Sequence, residues 1–271
     1  NIIISNSNIY GNVYGGGKGL ANSSYIRGVN SPEIITDTSE KYDVATVFGN
    51  TMVQVQDGAN ITGNVYGGGK GVSRSVFIPA TDSNATISPS FYGFTETEKK
   101  SAKYQWYHSG ASTLNYQSIE NETHFEYANT SYDEGFLRLE VNLDGEVIYS
   151  NPVKCNSDCS VLLGSGFTEE IWDGWTNELD KIAQVQGTTT VNVLTENNKS
   201  LTIKGNVYGG GSYSVVKGDS TAEGSTVGNT NVTINGGTIG GRVFGGGEGS
   251  ASFECDWAGN VSESTNVNIS K

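Results

Sequence analysis

The chain has 271 residues, of which 35% are hydrophobic and 17% charged, and its formal net charge is −13. The 16 Lys and Arg do not cluster, which leaves no basic face for nucleic-acid phosphates or for an anionic membrane surface, and no run approaches the roughly 18 apolar residues that span a bilayer. Gly (37), with Ser, Thr and Asn, stands against only 4 Pro, a balance that suits many short strands joined by tight turns.

The chain opens on Asn1-Ile2-Ile3-Ile4-Ser5, without initiator Met, tag or basic n-region, and reads as a mature or excised segment from which any signal peptide is gone. A phrase of seven residues follows, Gly11-Asn12-Val13-Tyr14-Gly15-Gly16-Gly17. It recurs identically at 63–69 and 205–211, and again as Gly241-Arg242-Val243-Phe244-Gly245-Gly246-Gly247. A short alternating strand precedes each copy: Ile2-Ile3-Ile4, Val53-Gln54-Val55, Val191-Asn192-Val193 and Val232-Thr233-Ile234. A further strand, Val267-Asn268-Ile269, has no such phrase after it. A unit this small cannot bury its apolar face alone, but stacked copies can, with equivalent residues forming ladders. Val13, Val65, Val207 and Val243 are expected to form an inward aliphatic ladder. Tyr14, Tyr66, Tyr208 and Phe244 are expected to stack ring upon ring, and Asn12, Asn64 and Asn206 to bond between repeats. The Gly triplet is assigned to a corner that needs φ > 0 and has no room for a Cβ. A phosphate-binding role is disfavoured, since the copies lack the Lys-Ser/Thr of a P-loop and the helix that must follow.

Between the second and third copies the composition changes. Residues 73–184 hold 7 Lys or Arg and 17 Asp or Glu, a net of −10; the rest hold 9 and 12, a net of −3. An inserted module is expected, with boundaries near 79 and 154. Alternating strands are predicted at 85–91, 102–108, 124–128, 136–143 and 147–153, and Asp144-Gly145 is a hairpin turn signal. Tyr104-Gln105-Trp106-Tyr107 resembles the strand that carries the core Trp of immunoglobulin-like domains. Asp133-Glu134-Gly135-Phe136-Leu137 resembles the turn before their penultimate strand, and Tyr149-Ser150-Asn151-Pro152-Val153 the closing strand of the bacterial kind. The intersheet cysteine pair is missing, and Leu137 stands where a corner Tyr is usual.

Cys155 and Cys159 lie close together in a polar stretch, so a local disulfide is the first reading and zinc the weaker one; Cys255 is left over. In 167–182, Ile171, Trp172, Trp175, Leu179 and Ile182 share one helical face. That face either packs on the flank of the repeats or presents Trp172 and Trp175 as a platform for a glycan. Nine Asn-x-Ser/Thr sequons are compatible with a secreted chain.

The repeats, with strands such as Thr-Asn-Val-Thr-Ile-Asn-Gly-Gly-Thr-Ile (230–239), resemble those of large secreted, β-helical, adhesin-like surface proteins of gut bacteria. The resemblance covers 1–71 and 187–271. The implied fold class is all-β: a parallel β-solenoid (1–78 and 185–271) with an inserted immunoglobulin-like β-sandwich (79–154) and a connector with one short helix (155–184). The implied function is a non-enzymatic structural or adhesive module at the cell surface, without cofactor or metal, its partner a host or matrix glycan or protein receptor. Two alternatives stand beside it. The first strand (Ile2, Ile4) and the last (Val267, Ile269) lie at the same phase of the repeat, so copies could associate end to end as a filament. β-Helices also host carbohydrate-active enzymes, though nothing marks a carboxylate pair or a nucleophile elbow here.

Overall fold

The computed structural model describes residues 1–19, 45–71, 74–82, 85–110, 115–164, 183–196, 199–218, 227–249 and 258–270. The segment 167–182, with Trp172 and Trp175, and Cys255 lie outside the described residues. The chain is almost all β, with parallel sheets and one short helix among the described residues. The described residues fall into two compact units: 1–19, 45–71 and 183–270 form the first, and 74–164 the second.

The first unit is built from parallel sheets that repeat one order of strands. The longest runs Ile2–Ile4, Thr51–Val55, Thr189–Leu194, Thr230–Asn235 and Thr265–Ser270. A second contains Asn8–Ile9, Asn60–Ile61, Thr202–Ile203 and Thr238–Ile239, and a third Val13–Tyr14, Val65–Tyr66, Val207–Tyr208 and Val243–Phe244. A fourth joins Val47–Phe48, Val185–Gln186 and Val216–Lys217. Register is the same at every step: Val53 pairs with Val191, Val191 with Val232, and Val232 with Val267. The long interval between the second and third phrases leaves it unbroken, since Val65 pairs directly with Val207.

Alternation explains the core. In Thr51–Val55 the odd positions are buried and the even ones partly exposed, because successive side chains leave a strand on opposite faces. Val53, Val55, Ile61, Val65, Val191, Val193, Ile203 and Val207 are fully buried in one apolar cluster. Thr heads four strands of the longest sheet and is buried in three of them, where its hydroxyl needs an acceptor. Thr51, Thr189 and Thr230 donate to the carbonyls of Gly67, Gly209 and Gly245 at 2.6, 2.5 and 2.5 Å, tying each strand to the glycine corner of its own repeat.

The second unit is antiparallel. Its main sheet runs Gln117–Ser118, Lys103–Ser109, Phe136–Leu143, Val153–Cys155 and Val161–Leu163, with Glu146–Tyr149 folded back on Phe136–Leu143. The hairpin turns on Asp144 (φ 52°) and Gly145 (φ 88°), the paired left-handed residues that match the twist of the strands. One face buries Trp106, Leu137, Leu139, Val141, Ile148 and Val153. Trp106 satisfies its indole by donating to the His124 carbonyl at 2.9 Å. The helix, Glu96–Ser101, begins with a capping box in which Thr95 and Glu98 exchange hydrogen bonds.

The expected boundaries move outward at both ends. Ser75–Phe77 is wholly buried and pairs antiparallel with Ser90–Tyr92, so it belongs to the second unit. Val161–Leu163 pairs with Val153–Cys155, and Val161 also bridges back to Thr81. A strand needs a paired edge, and here the edge is supplied by residues beyond 154.

Candidate functional site

The most ordered polar and aromatic array is the column raised by the repeated phrase. On each two-residue strand the Val turns inward and the aromatic residue faces the other way; Val65 and Val207 are fully buried, while Val13 is buried and Val243 partly so. Tyr14 stacks on Tyr66 at 4.8 Å between ring centroids, Tyr66 on Tyr208 at 4.9 Å, and Tyr208 on Phe244 at 4.9 Å, with planes within 10°. That separation is the strand spacing of a sheet, so the backbone ladder sets the ring stack.

The Asn of each phrase serves two partners. Its Oδ1 accepts from the backbone N–H of the next repeat: Asn12 from Asn64 at 2.8 Å, Asn64 from Asn206 at 2.7 Å, and Asn206 from Arg242 at 2.8 Å. Its Nδ2 donates to the phenol two residues on: Asn12 to Tyr14 (3.1 Å), Asn64 to Tyr66 (2.9 Å) and Asn206 to Tyr208 (3.0 Å).

The fourth phrase departs from the others, with Arg242 for Asn and Phe244 for Tyr, and Glu248 follows its glycines where Lys18, Lys70 and Ser212 follow the earlier ones. These four residues bridge in series along the column. Glu248 accepts from the Ser212 hydroxyl at 2.9 Å and from the Tyr66 phenol at 2.5 Å. Burial, then the hydrogen bond and charge of Glu248, push the Tyr66 phenol well above its ordinary range.

The glycine triplets correct one expectation. None of them sits at positive φ. At every one of them except Gly246 the requirement is closeness: a Cβ on Gly68 would lie 2.7 Å from the backbone nitrogen of Gly211, and one on Gly210 2.7 Å from that of Gly247. The left-handed glycines lie elsewhere, among them Gly11, Gly58, Gly236 and Gly237.

The expected disulfide is also corrected: Cys155 and Cys159 are both free thiols. Cys155 ends a strand with its side chain in the apolar core, whereas Cys159 stands at φ 61° in the turn that follows. Burial, then the neighbouring Cys159, push the Cys155 thiol up to about 12. In the outer strands, Ile2 and Ile4 pack against the core of the first unit, while Val267 and Ile269 are exposed on the edge strand Thr265–Ser270.

One cluster has no counterpart in the sequence reading. On the sheet face opposite the core of the second unit, the Arg138 guanidinium lies between the rings of Tyr116 and Tyr149, at 3.9 and 4.2 Å from their centroids, with Tyr107 at 5.6 Å. Burial, then hydrogen bonding to Glu140 and its charge, raise the phenols of Tyr107 and Tyr149. The one local signal was alternation in Phe136–Leu143, which places Arg138 and Glu140 on one face; the tyrosines come from three other segments.

Among the described residues no group of three or more His, Cys, Asp or Glu is placed to hold a metal ion, and no helix is long and apolar enough to cross a membrane. No protein-family model, curated protein or solved structure matches the chain.

Proposed function

We propose that the first unit is a parallel β-solenoid serving as a non-enzymatic structural stalk in an extracellular, adhesive surface protein, and that the second is an immunoglobulin-like sandwich inserted in it. One observation carries this reading: the repeated polar side chains are spent on hydrogen bonds inside the stack. The Thr hydroxyls hold glycine carbonyls, the Asn amides hold the next repeat, and the rings stack on rings. Such residues hold each repeat together and join it to the next, and they leave little free for chemistry. Repeat arrays of this kind are held by nearest-neighbour contacts, which suits an extended support.

Electron microscopy of the purified whole chain, with a glycan-cleavage assay on the same sample, tests this reading. Discrete elongated particles without cleavage are expected. Compact particles, or turnover of a polysaccharide, would replace the stalk by a globular or carbohydrate-active protein. One-dimensional polymers would favour the filament.

A further inference from the structure

In the strand Phe136–Leu143, Leu137, Leu139 and Val141 enter the core, and Phe136, Arg138 and Glu140 occupy the opposite face. Tyr107 pairs across from Arg138, and Tyr149 across from Glu140. The Arg138 guanidinium therefore has a ring on each side. Its Nε is buried without an acceptor, and the side chain makes no hydrogen bond or ion pair among the described residues. The contrast with Arg74, half-buried in the same unit, lies at the terminal nitrogens: its Nη1 and Nη2 are paired with Glu146 and Glu98.

A partly desolvated guanidinium without an acceptor is unfavourable, and rings compensate it only through its faces. What rings cannot satisfy are the in-plane N–H donors, which form a planar fork that matches a carboxylate approaching in the same plane. Glu140 is two residues further along the same face, about 7 Å away at strand rise; it accepts from the phenols of Tyr107 and Tyr149, and a carboxylate with about four lone-pair sites keeps room for further donors. An ionised carboxylate only accepts hydrogen bonds, so it selects donors such as hydroxyls. A matching ligand carries a carboxylate and, a short distance from it, several hydroxyls, on a body whose C–H face can lie on tyrosine.

We propose that this face of the second unit binds a carboxylated sugar, with Arg138 receiving the carboxylate and Glu140 the hydroxyls. The site is independent of the stalk reading, and either can fail alone. A peptide C-terminus supplies the carboxylate without the hydroxyls and fits less well.

The test is calorimetric titration of the whole chain with trigalacturonate and its methyl ester, and with sialyllactose and lactose. Binding of at least one carboxylated sugar is expected, with its neutral counterpart weaker by about tenfold or more, the scale of a charge-assisted contact. Which of the two acids binds identifies the sugar as uronate or sialate. Arg138→Gln should abolish the preference for the acid, Arg138→Lys should keep only part of it, and Glu140→Gln should weaken binding while the preference remains. Arg138→Lys retains the stem and the charge over the rings, so it decides the matter if the glutamine variant fails to fold. The proposal is overturned if neither acid binds, if an ester or neutral sugar binds as well as its acid, if Arg138→Lys binds as the parent does, or if a peptide carboxylate or a sulfated oligosaccharide binds more tightly than either acid.

Discussion

Tyr66 shows what a single residue contributes to the column. It is 1% exposed, has a ring on each side, receives a hydrogen bond from Asn64 and gives one to Glu248. Tyr66→Ala should lower unfolding stability by about 3–5 kcal/mol, the range for truncating a large buried aromatic, as read from urea denaturation. Tyr66→Phe keeps the stack and strands the Glu248 contact, so about 1–3 kcal/mol is expected. The phenol also sets a pH dependence. Its folded pKa lies above the unfolded value of about 10, so the unfolded state loses its proton first as pH rises. Stability from this group is full below pH 10 and falls progressively above it. Melting temperatures should drop from about pH 10 upward, and less steeply in Tyr66→Phe. Equal alkaline slopes for parent and variant would remove Tyr66 as the cause.

At the level of elements, two kinds of glycine separate. Gly68 has ordinary φ but sits against the backbone of Gly211, which cannot move without breaking its own ladder. Gly145 has open space and φ 88°. Gly68→Ala should therefore cost about 1–3 kcal/mol or more by overpacking. Gly145→Ala should cost about 1 kcal/mol through backbone strain alone. Replacing Gly145 with D-alanine by chemical ligation should recover the second loss, and the same replacement at Gly68 should recover nothing. Recovery at both sites, seen in chemical melts, would mean that the triplets are conformational after all.

For the whole molecule, the separability of the two units is the main consequence. The first unit keeps its register across the residues that form the second. The chain also leaves and re-enters the stack at neighbouring points, since a Cβ on Gly69 would touch the backbone of Ala183. A short Gly-Ser linker in place of 72–182 should leave the parallel stack folded, with a cooperative melt and undiminished strand signal per residue in circular dichroism. Loss of that signal would show that the second unit is needed to fold the first.

Sequence alone determined what is local or repeated. Alternation in the strands before each phrase marked the inward Val and Ile positions, Asp144-Gly145 marked a hairpin, and the recurring phrase marked equivalent levels of a stack, because equal residues at equal phase meet when copies pair in register. The cause of the glycine triplets was not legible, since a close approach and a left-handed turn select the same residue and only the neighbouring backbone tells them apart. Neither was the Tyr66–Glu248 bond, which joins residues 182 positions apart. The extent of the second unit depended on which strand edges found partners, and its Arg138 cluster on four segments meeting at one sheet face. A single strand shows which side a residue takes. What it meets there is decided by sheet pairing, a tertiary fact.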